Sequence, residues 1–334
     1  MNKVTVIAEA GVNHNGDINI AKELICAAHE NGADIVKFQL FKTEDLSCKN
    51  APKANYQKKL TNREESQYDM LKKLELNKSQ IIDLKNECMK YQIEFLCTAF
   101  DFYSLQILRE IDLKRYKIPS GEITNYPLLK EIGKTSKPII LSTGMSNLSD
   151  IDLAINTLEA SGTEREQITL LHCTTEYPAP FEEVNLKAIK TLQKAFKTSV
   201  GYSDHTKGIS IPLAAVTLGA CILEKHFTLD KYMDGPDHKA SLEPHEFKNM
   251  VQSIRLVEQS LGDGIKRPSK SEIKNIKIAR KSIVASREIK KGELLSSDNI
   301  TLKRPGDGLS PFMWNNLIGK SAKKAFKKDE QIQL

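Results

Sequence analysis

Short apolar runs alternate with longer stretches of helical spacing along the first 226 residues of the chain. The first run, residues 4–8, precedes a stretch at 18–31 where apolar residues recur three and four positions apart, and this alternation then repeats. Eight runs are predicted strands, at residues 4–8, 35–39, 94–97, 116–118, 139–141, 169–172, 199–202 and 221–226. Such alternation favours a parallel sheet, and eight units over about 265 residues favour an α/β fold of the TIM (β/α)8 barrel type.

A doubly wound open sheet is the alternative for this pattern. That fold would carry a glycine-rich phosphate-binding turn after the first strand, and GVNHNG at residues 11–16 does not match G-x-G-x-x-G. Nearly every predicted strand also ends in residues capable of chemistry, and the active sites of barrels form at the carboxyl ends of the strands. The pattern therefore favours the barrel.

A long polar insertion follows the second predicted strand, from Phe41 to about Tyr68. Loops of this length in compact domains are usually functional or mobile, and we expect the same here. The stretch that follows, residues 70–91, has helical spacing and is predicted to be interrupted near Asn77.

The alternation ends near Gly262, which predicts a barrel domain at residues 1–265. Residues 266–281 are predicted to be a linker, rich in Pro, Ser and Lys at its start and helical further on. Short β-type runs and KKGE-type turns then predict a small, mostly β domain at residues 282–334. A domain of about 50 residues buries little surface alone, so we expect it to pack against a partner.

The net charge of +6 is unevenly distributed. From Ile265 onward the chain carries 17 Lys and Arg against 7 Asp and Glu. These basic residues occur singly and in pairs, without interleaved aromatic residues or a known nucleic-acid motif. We therefore expect a solvated face, or a face over an anionic substrate, rather than nucleic-acid binding.

We expect neither a membrane span nor an export signal in this sequence. No run of 18 apolar residues is present, and MNKVTVIAEAG at the start lacks the apolar core and cleavage site of a signal peptide. The six cysteines are scattered without a C-x-x-C pair, which predicts reduced, mostly buried thiols. A cytoplasmic location without membrane association is therefore expected.

Two histidines, His205 and His226, lie where the seventh and eighth predicted strands end. Adjacent parallel strands would bring both imidazoles to one mouth, an arrangement that suits a divalent metal ion. With few protein ligands, such an ion keeps positions open for water and substrate. Glu224 shares a strand face with His226 and could orient its ring. Alternatively, each histidine is an ordinary strand-end residue satisfied by the backbone.

Lysines and hydroxyl groups at other strand ends suggest a site for an anion. Lys117 is predicted to project from the fourth strand, with Ser120 on the loop beyond it and Ser142 in the STGM turn after the fifth. A buried lysine without an anion is energetically costly, so Lys117 and Lys37 favour a phosphate or carboxylate cradle. A Schiff-base role for Lys117 is the alternative.

Acidic residues also fall at the predicted strand ends, and each could be a general acid or base or could cap a helix. They are Glu9, Asp101, Glu122, Glu176, Asp204 and Asp237. Asp101, directly before a helical stretch, is the best candidate for a pure cap. In the small domain, Arg304 on the turn KRPGDG is either an exposed turn residue or a contact for a substrate carboxylate or hydroxyl.

Nine stretches, in order through nearly the whole chain, resemble the sialic acid synthase family. They are AEAGVNHNG, VKFQ, YKIPSGEITNYP, ILSTGM, LHCTTEYPAP, GYSDHT, ILEKHFTLD, GPDHKASLEP and KRPGDG. The resemblance implies a TIM barrel and a C-terminal antifreeze-like (SAF) domain, in a domain-swapped homodimer whose small domain covers the partner's active site. It also implies condensation of phosphoenolpyruvate with an N-acylated amino sugar, giving a nonulosonic (sialic) acid and phosphate, with Mn²⁺, Mg²⁺ or another divalent ion as cofactor.

The resemblance also implies roles for individual residues. His205 and His226 would bind the metal. The residues that would contact phosphoenolpyruvate are Lys37, Lys117, Ser120, Ser142, Thr175 and Ser203, and those that would contact the sugar are Gln39, Tyr177 and Asp237, with Arg304 from the other subunit. Glu9 and Glu122 would transfer protons or place the water. Thr175 departs from the family pattern, since some relatives carry Asn there.

The identity of the sugar stays open between two candidates. N-acetylmannosamine would give N-acetylneuraminate, and 2,4-diacetamido-2,4,6-trideoxymannose would give N,N'-diacetyllegionaminate. The stretches CTTEYPAPFEEVNLKA and GPDHKASLEP resemble both branches, with some leaning to the second. Two functions of other classes compete, a Schiff-base aldolase that uses Lys117 and a non-catalytic binding protein. The intact set of residues at the predicted mouth argues against the binding protein.

Overall fold

The structure, a computed structural model, describes residues 3–54, 57–58 and 65–334 of the chain. In this part of the chain, eight parallel strands close into a barrel in sequence order. The strands are β1 (Thr5–Gly11), β2 (Ile35–Leu40), β3 (Glu94–Ala99), β4 (Tyr116–Ile118), β5 (Ile139–Ser142), β6 (Ile168–Cys173), β7 (Ser199–Asp204) and β8 (Ile222–His226). Because β8 pairs with β1, with Glu9 opposite His226, the TIM barrel is confirmed over the doubly wound sheet.

Helices connect the strands and pack on the outside of the barrel. They are α1 (Ile18–Glu30), α2 (Thr43–Leu46), α3 (Gln67–Lys72), α4 (Lys78–Tyr91), α5 (Phe102–Glu110), α6 (Tyr126–Gly133), α7 (Leu148–Ala160), α8 (Ala188–Phe196), α9 (Ser210–Thr217) and α10 (Pro244–Ser260). Their buried faces form one apolar core with the outward side chains of the strands. The side chains of Asp17, Asn77 and Asn147 cap α1, α4 and α7. The helix break predicted near Asn77 is confirmed, because α4 begins there.

The insertion predicted after the second strand contains α2 and leads into α3. Its residues 55–56 and 59–64 lie outside the described part of the chain. Apolar residues near its two ends, Phe41 and Leu71, pack with Val12, Leu74 and Phe100. Since Val12, Phe41 and Phe100 directly follow β1, β2 and β3, this cluster forms an apolar wall beside the carboxyl ends of these strands.

The interior of the barrel changes from apolar to polar along the strands. Six inward-facing apolar side chains form one cluster: Ile7, Ile35, Leu96, Ile140, Leu171 and Ile222. Side chains on one face of a strand repeat every two residues. The residues two positions further along the same strands are Glu9, Lys37, Thr98, Ser142, Cys173 and Glu224. The apolar ring therefore lies beneath a polar layer at the carboxyl ends of the strands, where barrel active sites form.

The chain divides into two compact units, Met1–Gly262 and Asp263–Leu334. The second unit contains α11 (Lys270–Ala279), the antiparallel strands β9 (Ser282–Ala285) and β10 (Ile300–Lys303), and α12 (Trp314–Leu317). Buried apolar side chains from these strands and from the loops around them form a core within this unit. The small β unit predicted after the barrel is therefore present, and α11 is the helical piece expected before it.

No helix in residues 3–54, 57–58 and 65–334 is long and apolar enough to cross a membrane. All six cysteines are free thiols, as the sequence predicts. Cys88, Cys97 and Cys173 are buried, Cys26 and Cys221 are half-buried, and Cys48 is exposed.

Candidate active site

A cavity of about 360 Å³ opens at the carboxyl ends of the barrel strands. It is lined by twelve of the fourteen site residues predicted from the sequence: Glu9, Lys37, Gln39, Lys117, Ser120, Ser142, Thr175, Tyr177, Ser203, His205, His226 and Asp237. Their side chains come from the ends of seven different strands or from the loops that follow them. Closure of the barrel thus brings together residues that are up to 228 positions apart in the chain.

Two lysines and two glutamates alternate at the floor of this cavity. Lys37 Nζ lies 2.6 Å from Glu9 Oε2 and 3.7 Å from Glu224 Oε2, and Lys117 Nζ lies 3.6 Å from Glu224 Oε1. All four side chains are at least 93% buried. Ser142 Oγ accepts a 2.7 Å hydrogen bond from Lys117 Nζ. The floor of the cavity therefore contains two lysine cations. Glu224 lies between them, and Glu9 contacts Lys37.

Burial and charge act in opposite directions on these groups. Burial acts to raise the pKa of Glu224, but the charges of Lys117 and Lys37 hold that pKa at about 2. Burial lowers the pKa of Lys117, and the charge of Glu224 opposes it. Burial also raises the pKa of Glu9, against the charge of Lys37. A negatively charged substrate would relieve the burial penalty on Lys117, since an opposite charge favours the ammonium form.

Glu224 does not have the role that the sequence suggested. It shares an inward face with His226 as predicted, yet its Oε1 accepts a 2.9 Å hydrogen bond from Ser203 Oγ. In the described part of the chain it makes no hydrogen bond to His226. The prediction that Glu224 orients His226 is therefore wrong, because the two buried lysines attract the carboxylate.

The rings of His205 and His226 lie side by side, with centroids 5.5 Å apart. His205 Nδ1 donates a 2.6 Å hydrogen bond to the carbonyl of Thr174, which leaves Nε2 with its lone pair. His226 Nδ1 is buried and makes no hydrogen bond to any described residue. Tyr177 covers both rings, with centroid distances of 4.1 Å to His205 and 5.4 Å to His226.

Both imidazoles are held in the neutral form that binds metals. Burial lowers the pKa of His205 to about 4. Burial and then the charge of His205 hold the pKa of His226 well below its usual value. Within the described residues, no group of three or more His, Cys, Asp or Glu side chains is arranged to hold a metal ion. Two neutral imidazoles, one with an unpartnered buried nitrogen, nevertheless fit a divalent ion that takes its other ligands from water and substrate.

A corner of small polar groups lies beside the lysines. Ser120 Oγ accepts a 2.9 Å hydrogen bond from the backbone N–H of Gly144 and lies 3.2 Å from Cys173 Sγ. Thr175 Oγ1 is buried and has no hydrogen-bond partner among the residues described. A Cβ at Gly144 would come within 2.2 Å of Thr175 Oγ1, so only glycine permits this close approach. The free hydroxyl of Thr175 is therefore available to a ligand.

The opposite part of the cavity combines one carboxylate with an apolar wall. Asp237 Oδ2 lies 3.9 Å from His226 Nδ1, and burial raises the pKa of Asp237 to about 7. Gln39 Nε2 donates a 2.9 Å hydrogen bond to Glu9 Oε1. Apolar residues line the cavity on this side: Val12, Met70, Leu71, Leu74 and Phe100. This part can accommodate a ligand with both polar and methyl groups.

Two predicted site residues do not line the cavity. Glu122 lies on the short 3₁₀ helix Ser120–Glu122 and accepts a 2.6 Å hydrogen bond from Asn125 Nδ2. Burial raises the pKa of Glu122. Arg304 belongs to the second unit, where its Nε donates a 2.9 Å hydrogen bond to the carbonyl of Ala279.

Three of the acids expected at the strand ends serve other purposes. Asp101 is a cap, as predicted, because it accepts hydrogen bonds from the N–H and hydroxyl groups of Ser104. Glu176 is exposed and lines a neighbouring cavity. Asp204 was expected at the mouth, but it faces away from the cavity and pairs with Lys225. That expectation is wrong because Ser203 and His205 take the inward positions on either side of it.

The fold and the cavity are those of a TIM-barrel enzyme with two buried lysines at the floor of its cavity and two neighbouring histidines. Residues 24–266 match the NeuB family and residues 280–334 match the SAF domain, so the chain belongs to the NeuB family. It is therefore a transferase of the kind that condenses phosphoenolpyruvate with an amino sugar.

The chain is similar over most or all of its length to several named synthases. N,N'-diacetyllegionaminic acid synthase from Campylobacter jejuni is 57% identical over 333 residues, which cover 100% of both chains. The enzyme of the same name from Legionella pneumophila is 48% identical and covers 94% of this chain and 89% of its own. The solved N-acetylneuraminic acid synthetase from Leptospira borgpetersenii, in complex with citrate, is 34% identical with a TM-score of 0.72, covering 82% of this chain and 90% of its own.

Proposed function

We propose that this protein is an N,N'-diacetyllegionaminic acid synthase, which condenses phosphoenolpyruvate with 2,4-diacetamido-2,4,6-trideoxymannose. The observation that carries the proposal is the 57% identity to the Campylobacter jejuni enzyme over the full length of both chains. The apolar wall of the cavity is consistent with a sugar that carries two acetamido methyls and a C6 methyl. All six cysteines are free, which is typical of cytoplasmic proteins, so we place the reaction in that compartment.

The reaction forms one carbon–carbon bond and one carbon–oxygen bond, the latter to water, and breaks the carbon–oxygen bond to phosphate. C3 of phosphoenolpyruvate attacks the aldehyde carbon of the open-chain sugar, and water adds at C2 of phosphoenolpyruvate. The tetrahedral intermediate then expels phosphate by cleavage of the C2–O bond and leaves a nine-carbon 2-keto acid. The barrel must therefore hold a trianionic substrate close to a neutral one, which is a task of orientation and charge stabilisation.

The floor of the cavity supplies the groups for the anionic substrate. Lys37 and Lys117 are buried cations with fixed positions, and the hydroxyls of Ser142 and Ser203 lie beside them. Ser120 and Thr175 provide further hydroxyls, one of them without a partner in the described structure. We assign phosphoenolpyruvate to these residues, since its phosphate and carboxylate would satisfy both the cations and the hydroxyl donors.

A divalent ion, Mn²⁺ or a similar metal, would be held by His205 and His226. When bound, it would act as a Lewis acid on the aldehyde oxygen of the sugar. The neutral state of both imidazoles and the unpartnered Nδ1 of His226 support this assignment. Tyr177 covers the two rings and limits their movement.

Glu9 is the better placed of the two glutamates suggested for proton transfer or water positioning. It lies inside the cavity, where Lys37 and Gln39 hold its two oxygens. Glu122 does not line the cavity. We therefore assign Glu9 to this role, and Gln39, Tyr177 and Asp237 to contacts with the sugar.

We further propose a homodimer in which the small domain of one subunit covers the cavity of the other and brings Arg304 to the sugar. Large apolar side chains are exposed on the loops and helix starts that follow the barrel strands: Phe102, Tyr103, Tyr126, Met145, Phe181 and Tyr232. In the second unit, Phe312 is 99% exposed. Exposed apolar groups gathered on one face support a partner surface there.

A phosphate-release assay tests the proposed function. Purified enzyme is given phosphoenolpyruvate with either sugar, with and without Mn²⁺, and the product is identified by its mass. We expect metal-dependent phosphate release with the diacetamido sugar and a kcat/KM at least tenfold lower with N-acetylmannosamine. A preference for N-acetylmannosamine would overturn the sugar assignment. Trapping of pyruvate on Lys117 by borohydride, without phosphate release, would favour the Schiff-base aldolase instead.

A further inference from the structure

A buried ion pair lies directly behind the two histidines. Asp204 on β7 and Lys225 on β8 are opposite each other in the strand register, and both point away from the cavity. Lys225 Nζ lies 2.5 Å from Asp204 Oδ2, and both side chains are completely buried. Each is a sequence neighbour of a cavity histidine, Asp204 of His205 and Lys225 of His226.

The pair extends to Thr206, and we call Asp204, Thr206 and Lys225 the clamp. Asp204 Oδ1 accepts hydrogen bonds from the backbone N–H of Thr206 at 3.1 Å and from its hydroxyl at 2.9 Å. Lys225 Nζ also donates to the carbonyl of Thr206. Asp204 and Thr206, which flank His205, are therefore both bonded to Lys225, which precedes His226.

The histidine rings themselves have few restraints. His205 is fixed by the carbonyl of Thr174, but the ring of His226 makes no hydrogen bond in the described part of the chain. The position of the His226 ring therefore depends on its own backbone, on packing against Tyr177 and His205, and on Asp237, whose Oδ2 lies 3.9 Å from Nδ1. The backbone of His226 is held through its carbonyl, which accepts from Leu242, and through the anchored side chain of Lys225.

Stability alone is a weak reason for such a pair. Removing two charges from water is costly, and apolar residues of similar volume in place of a buried ion pair often give equal or greater stability. The clamp also lies among apolar side chains of the main core, where Leu223 and Phe227 are fully buried. A pair in this place is better explained by the geometry that it imposes on its neighbours.

We propose that Asp204 and Lys225 are positioning residues, which fix the separation of the His205 and His226 imidazoles so that both can reach one divalent ion. The inference rests on the proposed function, because it assumes that the histidine pair binds a metal. It assigns to the clamp the role that outer groups have at metal sites, where their loss costs roughly 10–100-fold in metal affinity.

The test measures equilibrium binding of Mn²⁺ to the full-length, chelator-treated enzyme, by electron paramagnetic resonance of the free ion. The double variant Asp204→Asn/Lys225→Met keeps a hydrogen-bond acceptor for Thr206 and removes both buried charges. We expect it to fold and to bind Mn²⁺ about tenfold more weakly than the wild type.

A partly buried ion pair at the other end of the barrel strands provides the control. Arg115 and Glu94 form a two-pronged ion pair, at 2.7 and 3.2 Å, at the amino-terminal side of β3 and β4. The variant Glu94→Gln/Arg115→Met should leave Mn²⁺ binding unchanged, whatever its effect on the melting temperature.

The outcomes separate the clamp from the metal site. Wild-type enzyme that does not bind Mn²⁺ refutes the metal assignment and the clamp with it. Wild-type enzyme that binds, together with a folded double variant that binds equally well, refutes only the clamp and leaves a purely structural ion pair. If the double variant does not fold, Thr206→Val, which removes only the hydroxyl that donates to Asp204 Oδ1, is held to the same criterion.

Discussion

Lys117 Nζ donates a 2.7 Å hydrogen bond to Ser142 Oγ at the floor of the cavity. The two residues come from the adjacent strands β4 and β5, and both are buried. An ammonium group has three donors, and Ser142 uses one of them. Lys117 therefore has a fixed position and keeps donor capacity for an anionic ligand.

The hydrogen bond between Lys117 and Ser142 predicts different kinetic effects for substitutions of the two residues. Ser142→Ala should raise the KM for phosphoenolpyruvate about tenfold, because a hydrogen bond to a charged group contributes about 1.5 kcal/mol or more. Lys117→Met should lower kcat/KM at least 100-fold, since it removes a cation from the floor and leaves Glu224 with one lysine. Initial rates of phosphate release over a range of phosphoenolpyruvate concentrations measure both.

The control is Ser260→Ala on α10, where the hydroxyl bonds only its own helix, to the carbonyl of Leu256. This variant should have wild-type kinetic constants. An unchanged KM in Ser142→Ala would show that the hydroxyl neither contacts the substrate nor positions Lys117.

His226→Ala should abolish turnover and metal dependence together. The substitution removes the buried, unpartnered Nδ1 and one of the two imidazoles assigned to the metal. Phosphate release is measured across a Mn²⁺ titration after treatment with a chelator. His245→Ala, in which the lost side chain is 72% exposed, serves as the control and should respond to Mn²⁺ as the wild type does. Full activity in metal-stripped His226→Ala would refute the metal assignment.

The barrel and most of its cavity follow from local patterns in the sequence. Each strand is a short, largely apolar run, and polar residues such as Glu9 and Lys117 lie near the carboxyl ends of the strands, so strand order alone places these residues at one end of a parallel barrel. The helix break near Asn77 and the proximity of the two histidines could be predicted for the same reason, since they depend only on helix starts and strand ends.

Other features depend on which strand side chains face into the barrel and on how the barrel closes. Asp204 is the last residue of β7, but it adjoins the inward-facing Ser203 and must face outward, so position at a strand end was not enough to place it in the cavity. Glu224 pairs with lysines from β2 and β4, which are neighbours of β8 only across the closed barrel. Its contacts therefore could not be read from the sequence around it.

Gly144→Ala should damage the polar corner beside the lysines. A Cβ there would come within 2.2 Å of Thr175 Oγ1 and 2.8 Å of Ser120 Oγ, so at least one of these hydroxyls must move. We expect kcat/KM for phosphoenolpyruvate to fall at least tenfold and the melting temperature to decrease, because an overpacked site typically costs about 1–3 kcal/mol. Steady-state kinetics and thermal unfolding test this.

Gly121→Ala is the matched control for stability. A Cβ at Gly121 has nothing within 4 Å, and the melting temperature should therefore stay close to that of the wild type. Equal melting temperatures for Gly144→Ala and Gly121→Ala would mean that the corner tolerates the methyl group, which contradicts the close approach.

His14 should make the stability of the protein depend on pH below neutrality. Burial, and then the charge of His238, lower the pKa of His14 to about 4, against 6.5 as its ordinary value. Its Nδ1 accepts a 3.0 Å hydrogen bond from the backbone N–H of Gly16, so protonation would remove an acceptor as well as create a buried charge. The unfolded chain binds this proton more readily than the folded one. The contribution of neutral His14 is therefore complete above pH 6.5 and is lost as the pH falls towards 4, by about 3 kcal/mol.

The variant His14→Asn isolates this effect, because asparagine keeps an acceptor for Gly16 but does not titrate. Urea unfolding of the wild type and the variant is compared between pH 7.5 and 4.5. Other buried histidines titrate in both proteins, so the difference between the two profiles reports His14 alone. We expect the wild type to lose more stability than the variant as the pH falls, whereas the exposed His29→Asn should parallel the wild type. Parallel profiles for His14→Asn and the wild type would mean that His14 binds its proton as readily in the folded chain as in the unfolded one. That result would contradict the hydrogen bond in which the buried His14 Nδ1 accepts from Gly16.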